Sequence, residues 1–200
     1  MHPKYERTYV MIKHDGVQRS LVGEIIHRLE RTGLKITAIS MFTPSRDQVV
    51  AHYAKDDAWC EKVGSRTIAE MNAAGKTPEK TALEYGRDVL EGLYKFMTCG
   101  PVVALVIEGN QAVGIIKKIV GGTEPLTSDV GTIRGDLTID SYSLANWDGR
   151  SVRNLIHCSD QVEEAEREIS VWFPGNVGVQ KYIHINENIH YNVDFKGLEV

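Results

Sequence analysis

The sequence predicts an α/β (α+β) fold in which two β-α-β units share one antiparallel sheet with helices on one face. Three observations carry this. Apolar, β-branched runs recur at residues 7–13, 34–42 and 102–107, separated by segments of helical period. Turn residues close each run, as at His14-Asp15-Gly16, Gly100-Pro101 and Gly121-Gly122. Hydrophobic residues make up 42% of 200 positions and charged residues 25%, which suits a chain that buries a sizeable core.

Arg7-Thr-Tyr-Val-Met-Ile-Lys13 reads as a first strand, so Lys13 falls at its carboxyl end. A helix follows, with Ser20 as N-cap, Leu21, Val22, Ile25, Ile26 and Leu29 on one face, and Gly33 at its end. Leu34 to Phe42 alternates as a second strand, with Leu34, Ile36, Ala38 and Phe42 on one side. Pro44-Ser45-Arg46-Asp47 opens a short helix through Val49, Val50 and Tyr53. Residues 54–88 are polar, carry Gly64, Gly75 and Pro78, and read as an insertion of one or two exposed helices. Val89 to Met97 is helical, Val102 to Ile107 is a strand covered on both sides, and Asn110 caps a helix through Ile119. Turns and short extended pieces fill 123–152. Arg153 to His157 is a last strand, and Asp160 with Glu163 has the spacing of an N-cap and its third-residue carboxylate. This order is that of a ferredoxin-like βαββαβ sandwich. Residues 1–175 are expected to form one domain containing the insertion, with 176–200 a C-terminal extension packed on it.

Several classes are disfavoured. No apolar run nears the ~18 residues of a membrane helix, and the opening MHPKYER lacks the apolar core of a signal peptide. Twenty-three Lys and Arg stand against 27 Asp and Glu, a net charge of −4. Without a basic block, nucleic acid is not expected as the main partner. Three cysteines without CxxC spacing read as reduced thiols, consistent with a cytoplasmic protein.

Five patterns carry chemistry, in this order: Lys13-His14-Asp15-Gly16; Gly121-Gly122-Thr123-Glu124-Pro125; Gly131-Thr132-Ile133-Arg134-Gly135-Asp136; Asn154-Leu155-Ile156-His157-Cys158-Ser159-Asp160; and Glu166-Arg167-Glu168-Ile169. From about Glu6 to Phe173 the chain resembles the nucleoside diphosphate kinases. The resemblance implies transfer of a terminal phosphoryl group from a nucleoside triphosphate to a nucleoside diphosphate through a phosphohistidine at His157. It further implies that Glu168 orients the imidazole, with Ser159 nearby, and that Tyr53 lies near the transferred group. Lys13, Lys117, Arg134 and Thr123 would hold phosphates, Asn154 the sugar hydroxyls and Val89 the base. Mg²⁺ would ride on the nucleotide phosphates, and the chain would form a homo-oligomer, a hexamer or tetramer. The chemistry is consistent with these residues: neutral imidazole is nucleophilic near pH 7, and phosphoryl transfer asks for positioned cations. A nucleotide-binding regulator with little turnover is the alternative. His157, Lys13, Arg134 and Glu168 occurring together favour the enzyme.

The sequence departs from the family pattern in four ways. His14 stands where proline is usual, and Lys117 where arginine is usual, keeping charge without a bidentate fork. Val89 stands where a phenylalanine stacks on the base, with Leu93 the neighbouring apolar contact; Trp59 in the insertion is an available aromatic. Stacking without base-edge bonds implies low base selectivity. Residues 54–88, 140–150 and those beyond Phe173 lengthen the chain.

Overall fold

A computed structural model of the chain describes residues 3–191. Its elements are β1 (Glu6–Ile12), α1 (His14–Gln18), α2 (Val22–Glu30), β2 (Lys35–Phe42), α3 (Arg46–Tyr53), α4 (Asp57–Ala73) and α5 (Ala82–Thr98). They continue with β3 (Val102–Gly109), α6 (Ala112–Val120), α7 (Ile133–Leu137), α8 (Tyr142–Trp147), β4 (Ile156–Cys158), α9 (Val162–Trp172) and α10 (Ile185–Tyr191). The four strands form one antiparallel sheet in the order β2-β3-β1-β4, as a ferredoxin-like βαββαβ sandwich requires.

The helices of the two β-α-β units, α2 and α6, cover one face, where Ile25, Leu29 and Ile116 pack on Val10, Ile12, Leu105 and Ile107. The expectation of helices on one face holds for these two. The opposite face is also covered, by α3, α5 and α9 through Val49, Tyr94, Met97, Ile169 and Trp172 on Tyr9, Met11 and Val106. The central strands are apolar on both sides, and burying both sets removes more apolar surface from water than one layer could.

Strand β2 corrects the expected alternation. A bulge between Ile36 and Ala38 inserts Thr37 against the β3 register. Leu34 and Ile36 therefore pack with the α2–α6 layer, whereas Ala38 and Phe42 pack with the other. The bulge leaves the Thr37 carbonyl to accept the Gln180 N–H at 2.7 Å. Residues of the C-terminal extension run along this edge: Tyr182 Oη donates to Ile36 O at 3.0 Å, and Lys35 Nζ lies 2.9 Å from Glu187 Oε1. Residues 192–200 of that extension lie outside the described residues.

The polar stretch 54–88 is two helices packed on each other. Helix α5 begins at Ala82, seven residues before the expected start, because Thr81 and Glu84 form a capping box. A Cβ on Gly64 would lie 1.7 Å from Ala82 O, and one on Gly86 would lie 1.9 Å from Cys60 O. Only glycine permits so close an approach of α4 to α5. Three expected caps are absent. Ser20 is a turn residue at φ +57, and the N-cap positions of α2, α6 and α9 are Leu21, Gln111 and Gln161, none with a side-chain cap bond. The Asp160 carboxylate instead pairs with Lys117 at 3.0 Å. Within 123–152 the pieces are short helices, since Thr132 and Ser141 cap α7 and α8 by accepting N–H bonds from Gly135 and Leu144.

Candidate active site

The carboxyl end of β1 and the start of β4 meet at Leu155. Its backbone is left-handed, φ +64, a conformation that costs a β- or γ-branched residue about 1–2 kcal/mol. Two bonds hold it: Lys13 N donates to Leu155 O at 2.8 Å, and Leu155 N donates to Asp15 Oδ2 at 3.1 Å. Gly16 keeps this approach open, since a Cβ there would lie 3.2 Å from Leu155 O. The strained turn brings Asn154 onto the Lys13 ammonium and starts the strand that carries His157.

His157 stands opposite Met11 on β4, with a fifth of its side chain exposed. Its Nε2 lies 2.9 Å from Glu168 Oε1, and Ser159 Oγ donates to Glu168 Oε2 at 2.6 Å. Glu168 is buried on α9. Burial, and then Lys13, push the His157 imidazole down to about 3, so it is neutral near pH 7. Burial raises the Glu168 carboxyl, while His52 and the Ser159 hydroxyl oppose that shift.

His52 was missed by motif reasoning. It is buried, its ring centroid lies 4.6 Å from that of His157, and its Nδ1 accepts the Trp172 indole N–H at 3.1 Å. That nitrogen is also 3.4 Å from Glu168 Oε1, and Nε2 is buried without a partner. Burial and the neighbouring His157 hold it well below the usual histidine range. Its one sequence signal is its place beside Tyr53. Tyr53 itself packs edge-on to His52, ring centroids 4.7 Å apart, and burial raises its phenol.

Lys13 Nζ donates to Asn154 Oδ1 at 2.8 Å, and Asn154 Nδ2 donates to Thr123 O at 2.8 Å, so these three expected residues form one chain. Burial, reinforced by Arg134, lowers the Lys13 ammonium to about 8. Arg134 is buried. Its guanidinium donates to the carbonyls of Asn154, Gly121, Gly122 and Ile156 at 3.2, 3.1, 3.0 and 2.5 Å. The Gly121-Gly122 turn and the start of β4 present those oxygens to it, and four bonds occupy most of a five-donor group. Lys117 is exposed and paired with Asp160. Val89 is partly exposed on α5, one turn before Leu93. Trp59 meets Lys55 Nζ at 5.9 Å from its ring centroid. Cys158 is buried and its thiol is pushed up to about 11, which makes it inert packing.

The site thus joins an imidazole–carboxylate pair to a buried lysine on a β2-β3-β1-β4 sheet. The nucleoside diphosphate kinase family model matches residues 6–62 and 77–177. The chain belongs to the nucleoside diphosphate kinase family. A nucleoside diphosphate kinase of Pyrobaculum aerophilum is 43% identical over 173 residues, 84% of this chain and 94% of that protein. One from Mycobacterium bovis is 36% identical over 171 residues, 85% and 98% of the two chains. Among solved structures, an NDP kinase from P. aerophilum superposes with TM-score 0.82 at 40% identity, covering 88% of this chain and all of that one. A nucleoside-diphosphate kinase from Borrelia burgdorferi, solved as a transition-state mimic with vanadate and ADP, gives TM-score 0.76 at 32% identity, covering 93% and 96%. Residues 63–76, inside the stretch read as an insertion, are the internal segment that the family model leaves unmatched. The chain is thus an enzyme of nucleotide phosphoryl transfer. Among the described residues no helix is long and apolar enough to cross a membrane.

Proposed function

We propose that His157 Nδ1 is the nucleophile of a ping-pong transfer between nucleoside triphosphates and diphosphates. The observation that carries this is the His157 Nε2–Glu168 contact at 2.9 Å, backed by Ser159. With the Nε2 proton donated to the carboxylate, the lone pair sits on Nδ1. Nδ1 attacks the γ-phosphorus, the bond from phosphorus to the β–γ bridging oxygen breaks, and the diphosphate leaves. Positive charge develops on the imidazole as the N–P bond forms, and Glu168 balances it. A β-phosphate oxygen of a second diphosphate then takes the phosphoryl group and restores the free imidazole.

Lys13 supplies charge at the transferred group, with Tyr53 beside the nucleophile. Thr123 and Lys117 contact phosphates, Asn154 faces the sugar hydroxyls, and Arg134 chiefly shapes the turn that presents Thr123. Val89 covers one face of the base without edge recognition, which supports low base selectivity. The site's acid-base donors, His52, His157 and Glu168, are too rich in nitrogen for magnesium, which prefers oxygen ligands. They leave Mg²⁺ to the nucleotide, where it would supply charge neutralisation for the phosphates. Residues 1–175 act as one catalytic domain, and the described part of the extension, 176–191, packs on it. The exposed Ile39 and Met41 on the edge strand β2 support a homo-oligomer, hexamer or tetramer, working in the cytoplasm with no nucleic-acid partner. Initial-rate kinetics test the mechanism. Parallel double-reciprocal lines with ATP and GDP, lost in His157→Ala, are expected; intersecting lines with full activity in His157→Ala contradict it.

A further inference from the structure

Residues 63–76, unmatched by the family model, form the C-terminal part of α4 and the turn after it. This segment is docked on α8. Glu70 accepts a bond from Asn146 Nδ2, and Lys76 Nζ lies 4.5 Å from the Trp147 ring centroid. Arg66 stands one turn before Glu70 on α4, and Tyr142 stands one turn before Asn146 on α8. Residues four apart share a helix face, so Arg66 lies on the α4 face that carries Glu70, and Tyr142 on the α8 face that carries Asn146. Consistent with that, burial raises the Tyr142 phenol while the charges of Arg134 and Arg66 and the Thr123 side chain oppose the shift. The α8 end is pinned by Tyr142 N donating to Glu124 Oε1 at 2.8 Å. The two helices therefore bridge to the Thr123 turn.

The cations expected at the phosphates are all engaged: Arg134 by carbonyls, Lys117 by Asp160 and Lys13 by Asn154. Arg66 is exposed, and among the described residues it makes no hydrogen bond or ion pair. A free guanidinium at the edge of a polyanion site is suited to a bidentate grip on phosphate.

We propose that Arg66, presented by the α4–α8 bridge and positioned by Tyr142, is a phosphate-binding residue for the nucleotide. This rests on the cleft being the nucleotide site, and it assigns the segment outside the family model a part in substrate affinity. The test uses the full chain with Arg66→Ala, Arg66→Lys and Tyr142→Phe. ADP affinity is read by calorimetry at low and high salt, KM and kcat for ATP are read separately, and the phosphoenzyme label is read at saturating ATP. Arg66→Ala is expected to weaken ADP binding about tenfold at low salt and to change KM more than kcat. Arg66→Lys should recover part of the loss, Tyr142→Phe should cost less, and high salt should shrink the difference. Unchanged ADP affinity in Arg66→Ala, or a loss that salt does not shrink, overturns the proposal. A wild type that binds ADP but takes no label speaks against the His157 reading alone, and the ADP titration still decides Arg66.

Discussion

At the scale of single residues, the proposed transfer asks for one neutral imidazole and one aimed carboxylate. Glu168→Gln keeps an oxygen near His157 Nε2 but removes the charge that balances the imidazole. We expect kcat to fall about a hundredfold with little change in ADP affinity; an unchanged kcat in stopped assays of the purified variant counts against the orienting role. Lys13 has its own pH signature. Its pKa is lowered to about 8, so the free enzyme loses this positive charge as pH rises through that value, and a polyanionic nucleotide prefers the charged form. kcat/KM should therefore decline above about pH 8, and Lys13→Met should lack that limb. Lys117→Arg should tighten ADP binding by several-fold, since a fork replaces a point charge; equal affinity would show that the pairing with Asp160 governs this position. Most of these residues were legible in the sequence because each sits in a short pattern of fixed spacing. His52 was not, because its place depends on Trp172, 120 positions away, and the carbonyl partners of Arg134 were not, because backbone groups leave no trace in side-chain identity.

At the scale of elements, periodicity identified β1, β2, β3 and the helices packed on them. It failed where a local device overrode the pattern. The bulge at Thr37 moved Ala38 and Phe42 to the other face, and no residue type announces a bulge. The Thr81–Glu84 capping box was present in the sequence, but the polar residues after it concealed the start of α5. The α4–α5 contact is specified by Gly64 and Gly86, two residues that in isolation read as helix breakers. Gly64→Ala should force the helices apart and cost about 2–3 kcal/mol, seen as a lower thermal midpoint. A midpoint equal to wild type would mean the helices part freely.

The whole molecule is a twisted sheet covered on both faces, with its site where the first and last strands meet. Two histidines, the buried His52 and the mostly buried His157, are held neutral there, both with pKa values below the ordinary one. Above about pH 6.5 neither costs stability. Below it the unfolded chain binds protons that the native chain refuses, so stability should fall by about 1.4 kcal/mol per pH unit for each histidine. Denaturant titrations between pH 7 and 5 should show this slope, reduced by one proton in His157→Gln; a slope unchanged in that variant would mean His157 titrates normally. The most direct measurement of the central claim is incubation with γ-labelled ATP and Mg²⁺, beside His157→Ala. Acid-labile, base-stable label that chases onto GDP and is absent from the variant is the predicted result. A wild-type protein that binds ATP without taking label, or a variant that labels equally, would contradict it.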